Sequence, residues 1–322
     1  MKFKFLKYII LFCSCIVIYS CNKTAEKKET ELKTENKAPE TLSSAGVKEN
    51  GIEFRVEYEA PRKFYKIEKE DLNNDGYKEV IVFSVHKDTA EKYNDYYNFD
   101  MFEVFSLDGE KRKYVKILSD TVDYSTDYSF EDLEKNGYRQ LLISTNSGGN
   151  DAVVSKGMFI YSMKNYDKPM LIKYFDTGDP VIEDIKNDGT KEILIKDEYW
   201  GVMPQVNVIN FISGIYNFEN NNLVLKNSDH GEFYEDKLAE LKDKYYGIKR
   251  KVEMGMQMSD MSYPLYREAA EVIINYYAKG DMKGLKKFWD EEKDDLEKNI
   301  PQDEFNDLNN FIKKALPADK NA

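Results

Sequence analysis

Glu70-Asp71-Leu72-Asn73-Asn74-Asp75-Gly76-Tyr77-Lys78-Glu79, followed at once by Val80-Ile81-Val82-Phe83, decides how the chain is built, because the pattern returns twice. Glu131-Asp132-Leu133-Glu134-Lys135-Asn136-Gly137-Tyr138-Arg139-Gln140 precedes Leu141-Leu142-Ile143. Glu183-Asp184-Ile185-Lys186-Asn187-Asp188-Gly189-Thr190-Lys191-Glu192 precedes Ile193-Leu194-Ile195. In each copy the glycine stands five residues after the aspartate and the apolar run begins nine after it. Asp71 to Asp132 is 61 residues and Asp132 to Asp184 is 52, a spacing that marks a repeat architecture.

One copy is readable as chemistry. Side-chain oxygens at alternate positions, Asp71, Asn73 and Asp75, converge when the chain curls tightly, and Gly76 supplies the positive φ the curl needs. The Tyr77 carbonyl and the Glu79 carboxylate complete an all-oxygen set of the kind a hard cation such as Ca²⁺ takes. An EF-hand begins the same way but requires Glu at loop position twelve and a helix afterwards. Position twelve is Val82, within a β-branched run that reads as a buried strand, so the EF-hand is excluded. The alternative reading of all three loops is as Asx-type turns closed by local side-chain bonds.

The motif resembles the FG-GAP/VCBS repeat, the Ca²⁺-loop β-repeat of integrin α-chain propellers and many exported bacterial proteins. The resemblance covers about residues 51–225 and implies a propeller-like domain of three recognisable blades, small or open, each loop joining two strands. It also implies one Ca²⁺ ion held by Asp71, Asn73, Asp75, Tyr77 and Glu79. The other copies depart from the pattern. Glu134, Asn136 and Gln140 follow Asp132 in the second, so that loop is expected to close by hydrogen bonds. The third keeps Asp184, Asp188 and Glu192 but has Lys186 at its third position, and a lysine ammonium there is expected to replace the ion.

Further strands read at Ile52 to Tyr58, Lys63 to Ile67, Phe99 to Leu107, Lys113 to Leu118, Met158 to Met163, Met170 to Phe175 and Val206 to Phe218. From about Gly231 the period changes to helical. Leu238, Leu241, Tyr245, Ile248 and Val252 mark a first helix, a Pro264-led segment a second, an Asp281-capped segment a third, and a segment after Pro301 a fourth. The fold expected is mainly β over residues 51–228, followed by an α-helical region over 229–322.

At the other end, Lys2, Lys4 and Lys7 precede an apolar run from Tyr8 to Tyr19, the layout of a secretory signal over residues 1–20. Ile18-Tyr19-Ser20-Cys21 resembles a bacterial lipobox, which implies lipid on Cys21 and anchoring to a cell-envelope membrane by more than one acyl chain. Residues 21–50 then read as the lipidated cysteine and a disordered tether, poor in large apolar side chains.

The 322 residues carry 47 Lys+Arg against 59 Asp+Glu, and this acidity argues against nucleic acid as a partner. All three cysteines, Cys13, Cys15 and Cys21, lie in or at the end of the leader, which leaves no disulfide framework for the folded part. No GxSxG, P-loop or HExxH motif occurs, and His86 and His230 have no partner identifiable from spacing. Loop aromatics Tyr93, Tyr96, Tyr97, Tyr199 and Trp200 suit contacts with protein or glycan. The expected function is therefore binding, to an envelope protein or glycan, with the ion structural. The alternatives are an envelope enzyme or accessory using a loop-bound cation, and an architectural lipoprotein without ligand.

Overall fold

Each copy of the repeat folds as one four-stranded antiparallel sheet in the computed structural model, which describes residues 43–49, 51–92, 97–149, 152–164, 169–196, 212–255 and 258–316. The first sheet is β3 (Arg62–Glu70), β4 (Glu79–His86), β5 (Met101–Asp108) and β6 (Lys113–Thr121), in that order. The second is β7 (Ser125–Glu131), β8 (Gln140–Asn146), β9 (Lys156–Ser162) and β10 (Met170–Phe175). The third is β11 (Val181–Glu183), β12 (Glu192–Lys196), β13 (Ile212–Glu219) and β14 (Asn222–Leu225). In all three the Asp-to-Gly loop joins the first strand to the second. Short helices α1 (Lys87–Lys92) and α2 (Ala152–Ser155) lie between the second and third strands of the first two sheets.

The second strands have no polar face because both of their faces are covered. Val80 and Val82 of β4 pack with Phe54 and Tyr58, whereas Ile81 and Phe83 point the other way and share a core with Leu141 and Ile143 of β8. Leu142 turns to the far side of β8 and joins Ile193 and Ile195 of β12. Leu194, between those two, packs with the helices. Alternate residues of one run thus serve alternate layers, and a continuous apolar string is the result. The order of layers is a hairpin, three sheets, and the helical region.

The hairpin is β1 (Ser43–Glu49) with β2 (Ile52–Tyr58), turning at Gly51. It corrects the tether expected over 21–50, since that segment acquires a strand at Ser43. The cause is a period-two pair, Ala45 and Val47, set opposite Val56 and Phe54 in the register. Cys21, the leader and residues 22–42 lie outside the described residues, as do Tyr93, Tyr96, Tyr199, Trp200 and positions 206–211 of the strand expected from Val206.

The helical region comprises α3 (Gly231–Glu253), α4 (Met258–Lys279), α5 (Met282–Asn299) and α6 (Gln302–Ala315). Asp281 caps α5, its carboxylate accepting the Gly284 N–H at 2.9 Å. Pro264 does not open α4 but lies inside it, six residues after its start, where it removes one backbone bond of the early turns. Every described residue of α4 from Leu265 to Tyr276 except Arg267 is buried, so this helix is the axis of the region. Leu194 and Ile215 of the third sheet belong to the same core, which makes the helices the cover of that sheet's outer face. A mainly β chain with a helical C-terminal region is thus what the repeat pattern and the later helical period specify.

Candidate functional site

The three repeat loops lie side by side along one edge of the stack. The Arg139 N–H donates to the Leu72 carbonyl at 3.0 Å and the Lys191 N–H to the Leu133 carbonyl at 3.4 Å, so the eighth loop position of each copy bonds the second position of the copy before. Side chains repeat the step: Arg139 pairs with Glu70, and Lys191 with Glu131 at 2.6 Å. The fourth position also reaches forward. Asn74 lies directly over Gly137, and the Lys135 ammonium is 2.9 Å from where a Cβ on Gly189 would be. Leu72 and Leu133 point between sheets as plugs, each fully buried.

Within each loop two bonds recur. The first-position aspartate accepts the glycine N–H: Asp71 from Gly76 at 3.0 Å, Asp132 from Gly137 at 2.7 Å, Asp184 from Gly189 at 2.8 Å. The ninth-position side chain reaches back seven residues to a backbone amide. Glu79 accepts Leu72 N–H at 2.9 Å, Gln140 accepts Leu133 N–H at 3.1 Å and Glu192 accepts Ile185 N–H at 3.1 Å. All three ninth residues are only 1% exposed. Gln performs this task as well as Glu because the bond needs a carbonyl-type oxygen, not a charge.

The first loop matches the third in carboxylates, with three each, and is the least satisfied. Asp75 N–H donates to Asn73 Oδ1 at 3.1 Å, Tyr77 N–H to Asp75 Oδ1 at 2.8 Å, and Asn73 Nδ2 reaches Asp75 Oδ2 at 3.0 Å and Glu79 Oε1 at 3.2 Å. Ser106, on β5, also donates to Glu79 Oε1 at 2.9 Å. Burial pushes the Glu79 carboxyl up to about 7; the Leu72 and Ser106 bonds oppose that shift, while the neighbouring Asp75 charge adds to it. Asp71 Oδ1 is buried with no hydrogen-bond partner. A buried carboxylate oxygen without a partner is costly, and either a hydrogen-bond donor or a cation would satisfy it. Among the described residues no group of three or more His, Cys, Asp or Glu side chains is gathered as a metal cluster. The first loop's oxygens are of mixed type, from Asp71, Asn73, Asp75 and the Tyr77 carbonyl, the chemistry Ca²⁺ tolerates and thiophilic metals do not.

The second loop closes on itself. Asp132 takes a further N–H from Asn136 at 3.0 Å, Asn136 Nδ2 donates to Glu134 Oε2 at 2.7 Å, and Tyr138 N–H to Asn136 Oδ1 at 3.0 Å. Glu134 Oε1 accepts the Asn220 N–H at 2.7 Å, which ties this loop to the turn between β13 and β14.

In the third loop the lysine that makes the hydrogen bond is not the expected Lys186, whose charge still acts on Asp188. Lys186 is exposed and, among the described residues, forms no ion pair with Asp184, Asp188 or Glu192. Lys135 of the preceding copy enters instead, donating to the Asp188 carbonyl at 2.6 Å. Lys186 is exposed beside a surface cavity that also holds His230, whereas the fourth positions of the first two copies project onto the next glycine. Thr190 N–H donates to Asp188 at 2.7 Å and holds that carboxyl below its ordinary range.

His230, silent in the sequence, is buried behind this loop. Its Nε2 lies 3.1 Å from Asn217 Oδ1 and 3.9 Å from Glu192 Oε1. Burial, with help from Lys186, keeps the imidazole below its usual value, which favours a neutral ring packed under the clamp. His86 is partly exposed and accepts the Asp88 N–H at 3.3 Å. No protein-family model matches this chain, and no curated protein matches it.

Proposed function

We propose that the protein is a lipid-anchored cell-envelope binding module, its three sheets an open, propeller-like set of blades, with one structural Ca²⁺ ion in the first loop. Asp71, Asn73 and Asp75, with the Tyr77 carbonyl, would hold the ion, which supplies positive charge to a pocket of oxygens. Glu79 would act from behind as the clamp on Leu72 and remain ionised beside the cation. The observation that carries the cation is Asp71 Oδ1, buried without a donor in the one copy that keeps Asp, Asn and Asp at alternate positions. The open form is supported by the covers at both ends of the stack, the β1–β2 hairpin on the first sheet and the helices on the third. Terminal covers of this kind are what a short linear repeat needs in place of ring closure.

The binding role is supported by the rigidity of the loop edge, where each copy is bonded to the next, and by the lack of any nucleophile paired with a base in the sequence. Anchoring rests on the lipobox-like residues before Cys21, and the partner is an envelope protein or glycan rather than nucleic acid.

Thermal melting of the full chain in EDTA and in millimolar Ca²⁺ tests the ion. With an extracellular-module Kd of about 10⁻⁴ M, Ca²⁺ adds roughly 1–2 kcal/mol, and the Asp75→Ala variant loses that response. Equal melts in EDTA and Ca²⁺ would reduce the first loop to a turn like the second.

A further inference from the structure

The edge of the stack opposite the repeat loops carries a cavity of about 520 Å³ lined by the first sheet, α1 and the 122–124 link into the second sheet, within the size range of small-ligand sites. Its wall is aromatic. Tyr97 is buried and meets Tyr124 edge to face, ring centroids 5.4 Å apart. Tyr124 is 39% exposed and sits at φ +61°, left-handed backbone that a bulky residue adopts only under strain. The strain is held in place from both sides. The Tyr124 carbonyl accepts the Asn146 N–H at 2.9 Å, and the next carbonyl, Ser125, accepts the Asn98 N–H at 3.3 Å. The Tyr124 backbone is thus fixed at the mouth by bonds from two neighbouring segments.

The polar part of the lining decides the ligand class. Arg62 is engaged with Asp100 at 2.6 Å, and Asp100 also accepts the His86 N–H at 3.0 Å. That guanidinium charge is therefore neutralised inside the wall. Asp88 and Asp123, both exposed, stand on the rim with Thr89 and Lys92. Two rim carboxylates disfavour a phosphate or other anion, and the ring of polar groups disfavours a purely apolar guest. A pyranose fits both halves: its C–H face carries slight positive charge and stacks on the negative face of an aromatic ring, while its hydroxyls donate to carboxylates.

We propose that this cavity binds a neutral carbohydrate of one or two pyranose rings, with Tyr124 as the stacking platform and Asp88, Asp123 and Thr89 as hydroxyl partners. The proposal rests on the reading of the chain as a binding module and gives that module a site and a ligand class.

The test is saturation-transfer NMR and calorimetry on the full chain, held in a polyoxyethylene detergent that carries no sugar. The probes are maltose, cellobiose and N,N′-diacetylchitobiose. At least one is expected to bind, with affinity reduced roughly tenfold in Tyr124→Gly and largely kept in Tyr124→Phe. Glycine is free at φ +61°, so Tyr124→Gly relieves the backbone while losing the Tyr97 contact, and lost binding in a variant whose melt still shows a cooperative fold reports the ring and not the fold. Failure of all three sugars, or equal binding by Tyr124→Gly, overturns the proposal. So does tetramethylammonium binding with the same Tyr124 dependence while the sugars fail, since that would make the site a cation cage. The Ca²⁺ melt answers separately: a calcium response without sugar binding removes this site and leaves the loop, and the reverse removes the ion and leaves the cavity.

Discussion

Glu79 closes its loop by accepting the amide of Leu72, seven residues back, at 2.9 Å, and Gln140 makes the same bond to Leu133 at 3.1 Å. The ninth position is therefore a clamp first, whatever it adds to a bound cation. The clamp is neutral in the second copy and ionisable in the first, where burial pushes the folded-state carboxyl up to about 7 from an ordinary 4.5. A raised carboxyl favours folding most at low pH. Without cation, the chain should lose stability as pH rises from about 4.5 to about 7 and level off beyond, with roughly 3 kcal/mol as the ceiling for that displacement. Glu79→Gln should reduce that slope in EDTA, leaving the part set by Glu271, whose carboxyl burial also pushes up to about 7, and should match or exceed the parent at pH 8. Urea melts between pH 4 and 8 check both. An unchanged slope in the variant would mean another group sets it.

Gly137 and Gly76 occupy the same loop position at φ +89° and +86°, yet they are not equivalent. A Cβ on Gly137 runs into the Asn74 amide of the neighbouring copy, whereas a Cβ on Gly76 meets nothing within 4 Å. Gly76→Ala should cost only the left-handed backbone, about 1–2 kcal/mol. Gly137→Ala should cost more, and adding Asn74→Ala should recover the difference without removing the common backbone cost. A double-mutant cycle by denaturant melting measures this directly.

Leu133 tests the layered core. It is fully buried between the second and third sheets, among Leu142, Ile160 and Ile193. Leu133→Ala should destabilise by about 2–5 kcal/mol, while Leu225→Ala, at a residue 53% exposed, should stay within about 0.5 kcal/mol. Both are read from the midpoint of a urea transition at constant slope.

Much of this was legible because the repeat fixes register. Asp, Gly and the apolar run recur at constant offsets, so strand order within a sheet and the place of each loop follow from local chemistry. The stacking order was hidden, since Val80, Ile81, Val82 and Phe83 read alike although alternate ones serve different layers. Lys135 and Lys186 illustrate the same limit: position within a copy says what a residue is, but only the packing of neighbouring copies says which lysine enters the third loop. The fourth-position side chain facing the next glycine was the available signal, visible once Asn74 and Lys135 are aligned. His230 left no trace, because its partners Asn217 and Glu192 come from strands at unrelated spacing.

Cys21 carries the prediction about location. Its acyl chains would add about 0.8 kcal/mol per buried CH₂, and more than one chain suffices for stable attachment. Among the described residues the core begins with the β1–β2 hairpin at Ser43, which covers the first sheet. Cys21→Ser expressed in a bacterium should therefore move the protein from the membrane pellet to the soluble or unprocessed fraction while its far-UV spectrum and melting profile remain those of the parent. Intact-mass measurement of the parent should find a diacylglycerol-modified cysteine as the first residue. A parent that stays soluble, or a variant that still sediments with membranes, would remove lipid from the description and leave a secreted or directly membrane-associated module.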